Sequence, residues 1–147
     1  MKPVVAISGG FDPIHPGHLF LIDRAAKLGE LVVIVNSDDF LIRKRRRLQQ
    51  PEQPLLCLAE RITIIEHIKG VSRVVACVDE DDTVCRTLEM LQPTIFVNSG
   101  DRRDTNALPS PEVATCRRIG CQMVFFRSPY HNHSRNLLAN YREGAQR

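Results

Sequence analysis

The chain alternates short runs of apolar residues with stretches in which apolar residues recur every three or four positions. Short apolar runs are typical of buried strands, and the wider spacing is typical of helices. The runs predict strands at residues 4–8, 31–35, 74–78, 95–97 and 123–126. The spacing predicts helices at residues 18–28, 58–68, 110–120 and 135–142, and another that is capped by residues 81–83 and runs to about residue 91. This alternation indicates an α/β, Rossmann-like, doubly wound domain, with a five-stranded parallel sheet and helices on both faces.

Polar residues gather in the segments that follow the predicted strands. Residues 36–54 and 100–109 are polar and are predicted to form long loops, which are usually functional or mobile. In doubly wound sheets, ligands bind beyond the C-terminal ends of the strands, where the strand order reverses. The segments after strands one, two, four and five bring to that edge Asp12, His15, His18, Asp38, Lys44, Asp101, Arg102 and Arg127. We therefore expect a ligand site at this edge.

The size and composition fit a single domain that spans residues 1–147. Hydrophobic residues make up 43% of the chain and charged residues 25%, as in soluble globular proteins. No run approaches the roughly 20 apolar residues that cross a bilayer, and the first residues lack the apolar segment of a signal peptide. The five cysteines form no CxxC pair, which disfavours a zinc site or a disulfide framework. We therefore expect a cytoplasmic protein without a membrane partner.

The modest net charge of +3 has one dense basic focus, the RKRRR run at residues 43–47. Three interpretations of this run are open. In order of preference, they are a lid that closes on phosphates, a solvated loop, and a contact to nucleic acid. No aromatic side chains that would stack on bases are interleaved with the basic ones, so nucleic acid is the least favoured partner.

The clearest chemical signal is the segment GGFDPIHPGH at residues 9–18. It joins the first predicted strand to the first predicted helix, so His15 and His18 lie near a helix start and behind a glycine-rich loop. Backbone N–H groups and the positive end of the helix dipole favour an anion at such a position. Imidazole N–H groups add donors, and the glycines let the backbone approach a phosphate closely. The segment therefore predicts a phosphate site that performs chemistry.

The same segment resembles the GxFDxxHxGH motif of the nucleotidyltransferase superfamily that contains the cytidylyltransferases and adenylyltransferases. Residues 28–38, LGELVVIVNSD, look like the corresponding segment of bacterial heptose-phosphate adenylyltransferase domains. The resemblance implies transfer of a nucleotidyl group from ATP or CTP to a small sugar or polyol phosphate, with release of pyrophosphate. It also implies a homodimer, and Mg²⁺ is expected to accompany the triphosphate.

Three functions remain open at this point. A sugar-phosphate adenylyltransferase is preferred, and a glycerol-3-phosphate-type cytidylyltransferase is the alternative. A non-catalytic nucleotide-binding or nucleic-acid-binding protein is a hypothesis of a different class. The sequence leaves the choice between ATP and CTP open.

Roles for single residues follow from charge, position and the resemblance. The attacking phosphate is already anionic, so catalysis needs charge stabilisation rather than a strong base. The predicted catalytic residues are His15, His18, Lys44 and Arg127. The predicted nucleotide-binding residues are Gly9, Gly10, Phe11, His15, Gly17, His18, Asp101, Arg127 and Ser134. The predicted substrate-binding residues are Asp12, Asp38, Lys44 and Arg61; Arg61 is assigned by the resemblance, with an exposed helix arginine as the alternative.

Overall fold

The structure, a computed structural model, describes residues 2–99, 110–130, 137 and 138. Its strands are β1 (Val4–Gly9), β2 (Glu30–Val35), β3 (Arg73–Ala76), β4 (Ile95–Ser99) and β5 (Gln122–Phe126). They form one parallel sheet in the order β3-β2-β1-β4-β5. Each predicted strand is present to within two residues at either end. The apolar runs located these strands well because a sheet covered on both faces needs nearly continuous apolar sequence.

The helices within the described residues are α1 (Pro16–Ala26), α2 (Asp38–Arg47), α3 (Leu58–Glu66), α4 (Cys85–Leu91) and α5 (Ser110–Ile119). Successive side chains of β1 point to opposite faces of the sheet. Accordingly, Val5 and Ile7 pack in one buried cluster with residues of α1 and α3. Ala6 packs in a second cluster with Leu88 of α4 and Cys116 of α5. The predicted doubly wound α/β fold, with helices on both faces of a parallel sheet, is confirmed.

The centre of the sheet sets the position of the candidate site. Strand β1 lies between β2 and β4, so the strand order reverses at the β1–β4 boundary. The register places Ser8 and Gly9 of β1 opposite Ile34 and Val35 of β2. The residues that follow β1 and β2 therefore emerge side by side at the C-terminal edge, where doubly wound sheets bind ligands.

The prediction of one long loop over residues 36–54 is wrong, because α2 occupies residues 38–47. The Ser37 hydroxyl accepts a hydrogen bond from the Phe40 N–H at 3.1 Å and so caps the helix. Asp38 and Asp39 lie in the first turn and basic residues fill the last, an arrangement that the helix dipole favours. The polar composition of residues 36–54 favoured a loop, but carboxylates elsewhere in the chain pair with the arginines of this helix.

Two helix starts also differ from expectation. Helix α1 begins at Pro16 rather than at His18, because His15 caps it. Helix α4 begins at Cys85, with Val84 at the cap position. From the predicted cap at residues 81–83, the Thr83 hydroxyl accepts from the Cys85 N–H at 3.3 Å, and Asp79 adds a further cap. The Asp79 carboxylate accepts from the N–H groups of Arg86 and Thr87 at 2.7 and 3.0 Å.

Two predicted elements lie largely outside the described residues. The loop at residues 100–109 is not described, and of the helix at residues 135–142 only Leu137 and Leu138 are described, both helical. In the described ranges, none of the helices has both the length and the apolar character needed to cross a membrane.

Candidate active site

Two histidine rings are fixed at the N-terminus of α1. His15 is the cap residue, and its Nδ1 accepts a hydrogen bond from the Gly17 N–H at 3.1 Å. The Nδ1 of His18 accepts from the His15 N–H at 3.2 Å, and the two rings stack with centroids 3.7 Å apart. A ring nitrogen that accepts carries no proton, so each neutral ring carries its proton on Nε2. The helix start thus holds two imidazoles in the tautomer that offers an Nε2–H donor.

The loop before α1 is shaped by close packing. Phe11 is buried, adopts a positive φ of 53°, and lies with its ring centroid 4.8 Å from that of His18. A Cβ on Gly10 would lie 2.6 Å from Cδ2 of Leu41 in α2, so the missing side chain lets α2 pack on this loop. The glycine therefore serves packing here, in addition to the close approach to phosphate that the sequence predicts.

Lys44 of α2 lines a cavity of about 190 Å³ above the C-terminal ends of β1, β2 and β4. The lining includes Ser8, Gly9, Gly10, Leu21, Asn36, Phe40, Lys44, Asp82, Val84, Val97, Asn98 and Glu112. This cavity lies where the strand order reverses, so the structure brings Lys44 and the glycine loop together at the expected edge.

The arginines around Lys44 are engaged with acidic residues. Arg43 and Arg47 both donate to the carboxylate of Asp82, and Arg46 donates to Glu52 at 3.0 Å. Burial alone would raise the pKa of Asp82, but hydrogen bonds from Arg47 and Arg43 outweigh it and lower that pKa. Exposed pairs contribute little stability, about 0–1 kcal/mol each. The pairs of Arg43 and Arg47 join α2 to Asp82, which lines the same cavity as Lys44.

Asp12 is occupied by protein groups. It is 1% exposed, and its Oδ2 accepts from Arg45 at 2.6 Å. The same carboxylate accepts from the N–H groups of Leu55 and Leu56 at 2.8 and 3.0 Å. The predicted role of Asp12 in substrate binding stays a prediction, but its position assigns it to joining the histidine loop, α2 and the segment before α3.

Arg61 is buried rather than an exposed helix arginine, with 1% of its surface accessible. Its guanidinium donates to the carbonyls of Leu56, Gly10 and Asn36 at 3.1, 2.8 and 2.8 Å. It also donates to Oδ1 of Asp38 at 2.6 Å. Four of its five N–H groups therefore bond to protein. Arg61 and Asp38, both predicted to bind substrate, together fasten the ends of β1 and β2 to the start of α2.

Arg61→Lys tests whether this arginine is chiefly structural. The lysine retains the charge but cannot reproduce the planar fork, so buried carbonyls lose their donors. We expect the free energy of unfolding, measured by urea denaturation, to fall by about 2–3 kcal/mol. Arg86→Lys, on the exposed surface of α4, is the matched control and should change it by less than about 0.5 kcal/mol. Unchanged stability with a raised KM for the phosphorylated substrate would instead support direct substrate contact.

Asn36 and Asn98 lie at the candidate site but were not predicted from the sequence. Asn36 follows β2 directly, Asn98 lies near the end of β4, and both residues line the same cavity as Lys44. Both are buried, with 7% and 6% of their surfaces exposed. A polar residue at the C-terminal end of an apolar strand is the signal that would have indicated them.

The remaining predicted residues are Arg127, Asp101 and Ser134. Arg127 comes directly after β5 and is exposed. Asp101 and Ser134 lie outside the described residues, so their predicted contacts to the nucleotide are not placed by the structure.

A family model and curated relatives both match this chain. The family model described as "Cytidylyltransferase-like" matches residues 6–123. The bifunctional protein HldE of Streptomyces coelicolor is 32% identical over 148 residues, covering 97% of this chain and 29% of that protein. The HldE protein of Hahella chejuensis is 40% identical over 101 residues, covering 68% of this chain and 20% of that protein. The chain thus spans less than a third of the length of these curated relatives.

Solved structures show the same fold. The lipopolysaccharide core biosynthesis protein from Thermoplasma volcanium superposes with a TM-score of 0.65 at 24% identity, covering 88% of this chain and 98% of that one. TmcAL of Thermotoga maritima, solved with alpha-thio ATP, superposes with a TM-score of 0.72 at 12% identity, covering 99% of this chain and 51% of that one. Because the family model covers most of the sheet and its histidine segment, the chain belongs to the cytidylyltransferase-like family of nucleotidyltransferases.

Proposed function

We propose that the protein transfers a nucleotidyl group from an NTP to a small sugar or polyol phosphate, with ATP and a sugar phosphate as the preferred pair. The observation that carries this proposal is the fixed pair of imidazoles at the start of α1, both in the tautomer with Nε2–H. Together with the helix dipole, they form a site suited to a polyphosphate. The resemblance of residues 28–38 to heptose-phosphate adenylyltransferase domains supports the sugar phosphate.

The reaction requires little proton transfer. An oxygen of the acceptor phosphate attacks the α-phosphorus, the bond between the α-phosphorus and the bridging oxygen breaks, and pyrophosphate leaves with the electron pair. The Nε2–H groups of His15 and His18 donate to oxygens that gain charge as this bond breaks. Lys44, held at the cavity by α2, neutralises phosphate oxygens as a point charge. Arg127 approaches from the end of β5 with a planar fork of donors.

Mg²⁺ is proposed to arrive with the triphosphate. The described residues contain no group of three or more histidine, cysteine or acidic side chains placed to hold a metal ion. We therefore propose an ion that is held mainly by phosphate oxygens and water, as Mg²⁺ often is. When bound, the ion supplies charge neutralisation at the phosphates.

The decisive experiment measures pyrophosphate release from ATP, CTP, GTP and UTP against a panel of sugar and polyol phosphates. We expect turnover with ATP and a sugar phosphate. Turnover with CTP and glycerol 3-phosphate would favour the cytidylyltransferase alternative. Nucleotide binding without turnover across the panel would favour the non-catalytic hypothesis.

Lys44→Ala is expected to slow turnover more than it weakens nucleotide binding, because the ammonium meets charge that grows in the transition state. We expect kcat to fall on the order of 10- to 100-fold, with the nucleotide Kd changed less than about threefold. Arg46→Ala removes a positive charge from the same helix, at a site paired with Glu52 on the surface, and serves as the control. An equal loss of kcat in both variants would show a general charge effect and contradict the role of Lys44.

The homodimer and the cytoplasmic location predicted from the sequence remain proposals. The nucleic-acid partner is further disfavoured by the basic run itself, since four of its five residues are arginines that pair with Asp12, Glu52 and Asp82. Charge neutralised within the fold contributes little to phosphate-backbone binding.

A further inference from the structure

Two buried amide atoms at the cavity have no hydrogen-bond partner in the protein. They are Oδ1 of Asn36 and Nδ2 of Asn98. Both residues are more than nine-tenths buried, and both line the cavity of about 190 Å³. Buried polar groups are almost always paired, so an unpaired acceptor and an unpaired donor on two residues that line one cavity need an explanation.

The position of these atoms ties them to ligand binding. Asn36 follows β2 and Asn98 belongs to β4, so the two residues flank β1 on either side of the point where the strand order reverses. The backbone of Asn36 is fixed by its N–H bond to Gly9 at 2.9 Å and by Arg61, which donates to its carbonyl at 2.8 Å. Both residues therefore lie at strand ends on the cavity that Lys44 lines, as preorganised recognition groups do.

The chemistry of the two atoms selects the ligand group. Oδ1 of Asn36 is an acceptor and requires a donated hydrogen, which an ionised phosphate oxygen does not have. A hydroxyl both donates and accepts, so hydroxyl groups can satisfy Asn36 as well as Asn98. The same cavity wall carries Lys44, Asp82 and Glu112, and hydroxyls form hydrogen bonds with groups of either charge.

We propose that Asn36 and Asn98 are specificity-determining residues that bind hydroxyl groups of a sugar ring through Asn36 Oδ1 and Asn98 Nδ2. The ring belongs either to the nucleotide or to the acceptor. These two ligands are taken from the proposed function, on which the inference therefore rests. The site discriminates against analogues that lack the hydroxyl, because the amide atoms are then left buried and unpaired.

Binding measurements with deoxy analogues test the proposal without turnover. The Kd values of ATP, 2′-deoxyATP and 3′-deoxyATP are measured by calorimetry for wild type, Asn36→Ala and Asn98→Ala. If the ring is the ribose, wild type should bind one deoxy analogue about tenfold more weakly than ATP, and the variants should lose this difference. Gln122→Ala removes an exposed amide from β5 and should keep the wild-type discrimination.

A second arm addresses the acceptor. Once the panel has given an active sugar phosphate, its KM is compared with that of analogues lacking one hydroxyl, again in wild type and both variants. If the variants lose discrimination between the acceptor analogues but keep it between the nucleotides, the ring in the cavity is that of the acceptor. If the variants change the preference for ATP over ITP but do not change the effect of removing any hydroxyl, the cavity binds the base. That result would overturn the proposal.

Stability separates this role from a structural one. Because the two amide atoms have no partner in the protein, both alanine variants should unfold thermally within about 2 °C of wild type. Marked destabilisation without coupling to any hydroxyl would overturn the proposal. If no substrate pair releases pyrophosphate but the variants still lose the discrimination between ATP and a deoxyATP, the proposed function fails. The inference about the two asparagines then stands.

Discussion

His18→Ala is expected to lower the rate of pyrophosphate release by about 100- to 1,000-fold, while most of the nucleotide affinity remains. The loss arises because the ring of His18 is fixed by the His15 N–H and by stacking on His15, so its Nε2–H is preorganised for the leaving oxygen. Removal of one such donor raises the barrier by about 3–4 kcal/mol. The rate is measured in single turnover, so that chemistry is separated from product release.

Two isosteric variants separate the chemical role of His18 from its role in capping. Asparagine places Oδ1 where histidine has Nδ1, so His18→Asn retains an acceptor for the His15 N–H but lacks the distal donor. Glutamine reaches further and offers an N–H near the position of Nε2. We expect His18→Asn to be as slow as His18→Ala with near wild-type stability, and His18→Gln to recover part of the rate. Turnover of His18→Ala within about threefold of wild type would contradict the catalytic assignment.

The parts of the fold that the sequence predicted correctly depend on local patterns. Apolar runs located all five strands, since both faces of this sheet are buried and β2 is apolar from Leu31 to Val35. The glycine loop, His15 and His18 were located because strand, turn and helix start are consecutive in the chain. Local sequence is sufficient where the partners of a residue lie within a few positions.

The parts that were missed depend on partners far away in sequence. Helix α2 looked like a loop because residues 36–54 are polar, whereas its arginines pair with distant carboxylates: Asp12 lies 33 positions from Arg45, and Asp82 lies 39 positions from Arg43. Arg61 was expected at the substrate or on the surface, yet one of its acceptors, Gly10, is 51 positions away. Such pairings exist only after the sheet has brought the strand ends together, so composition and spacing alone did not reveal them.

Asp12→Ala is expected to lower the free energy of unfolding by about 3–5 kcal/mol, the usual cost of breaking a buried ion pair by removing one partner. The side chains of Asp12 and Arg45 are 0% and 4% exposed, so the guanidinium that remains is left in a poorly solvated place. The N–H groups of Leu55 and Leu56 also lose their acceptor. Asp23→Ala, at an exposed position of α1, is the matched control and should cost less than about 0.5 kcal/mol.

The second variant needed for Asp12 is the double substitution Asp12→Ala/Arg45→Met, which removes the stranded charge. It should be more stable than the sum of the two single losses predicts, because each single variant leaves the other member of the pair uncompensated. Urea midpoints of all three variants give this coupling directly. A direct substrate contact gives the opposite pattern: Asp12→Ala would unfold like wild type, raise the KM for the phosphorylated acceptor, and show no coupling to Arg45→Met. That outcome would support the role in substrate binding predicted from the sequence and contradict the structural role assigned by the geometry.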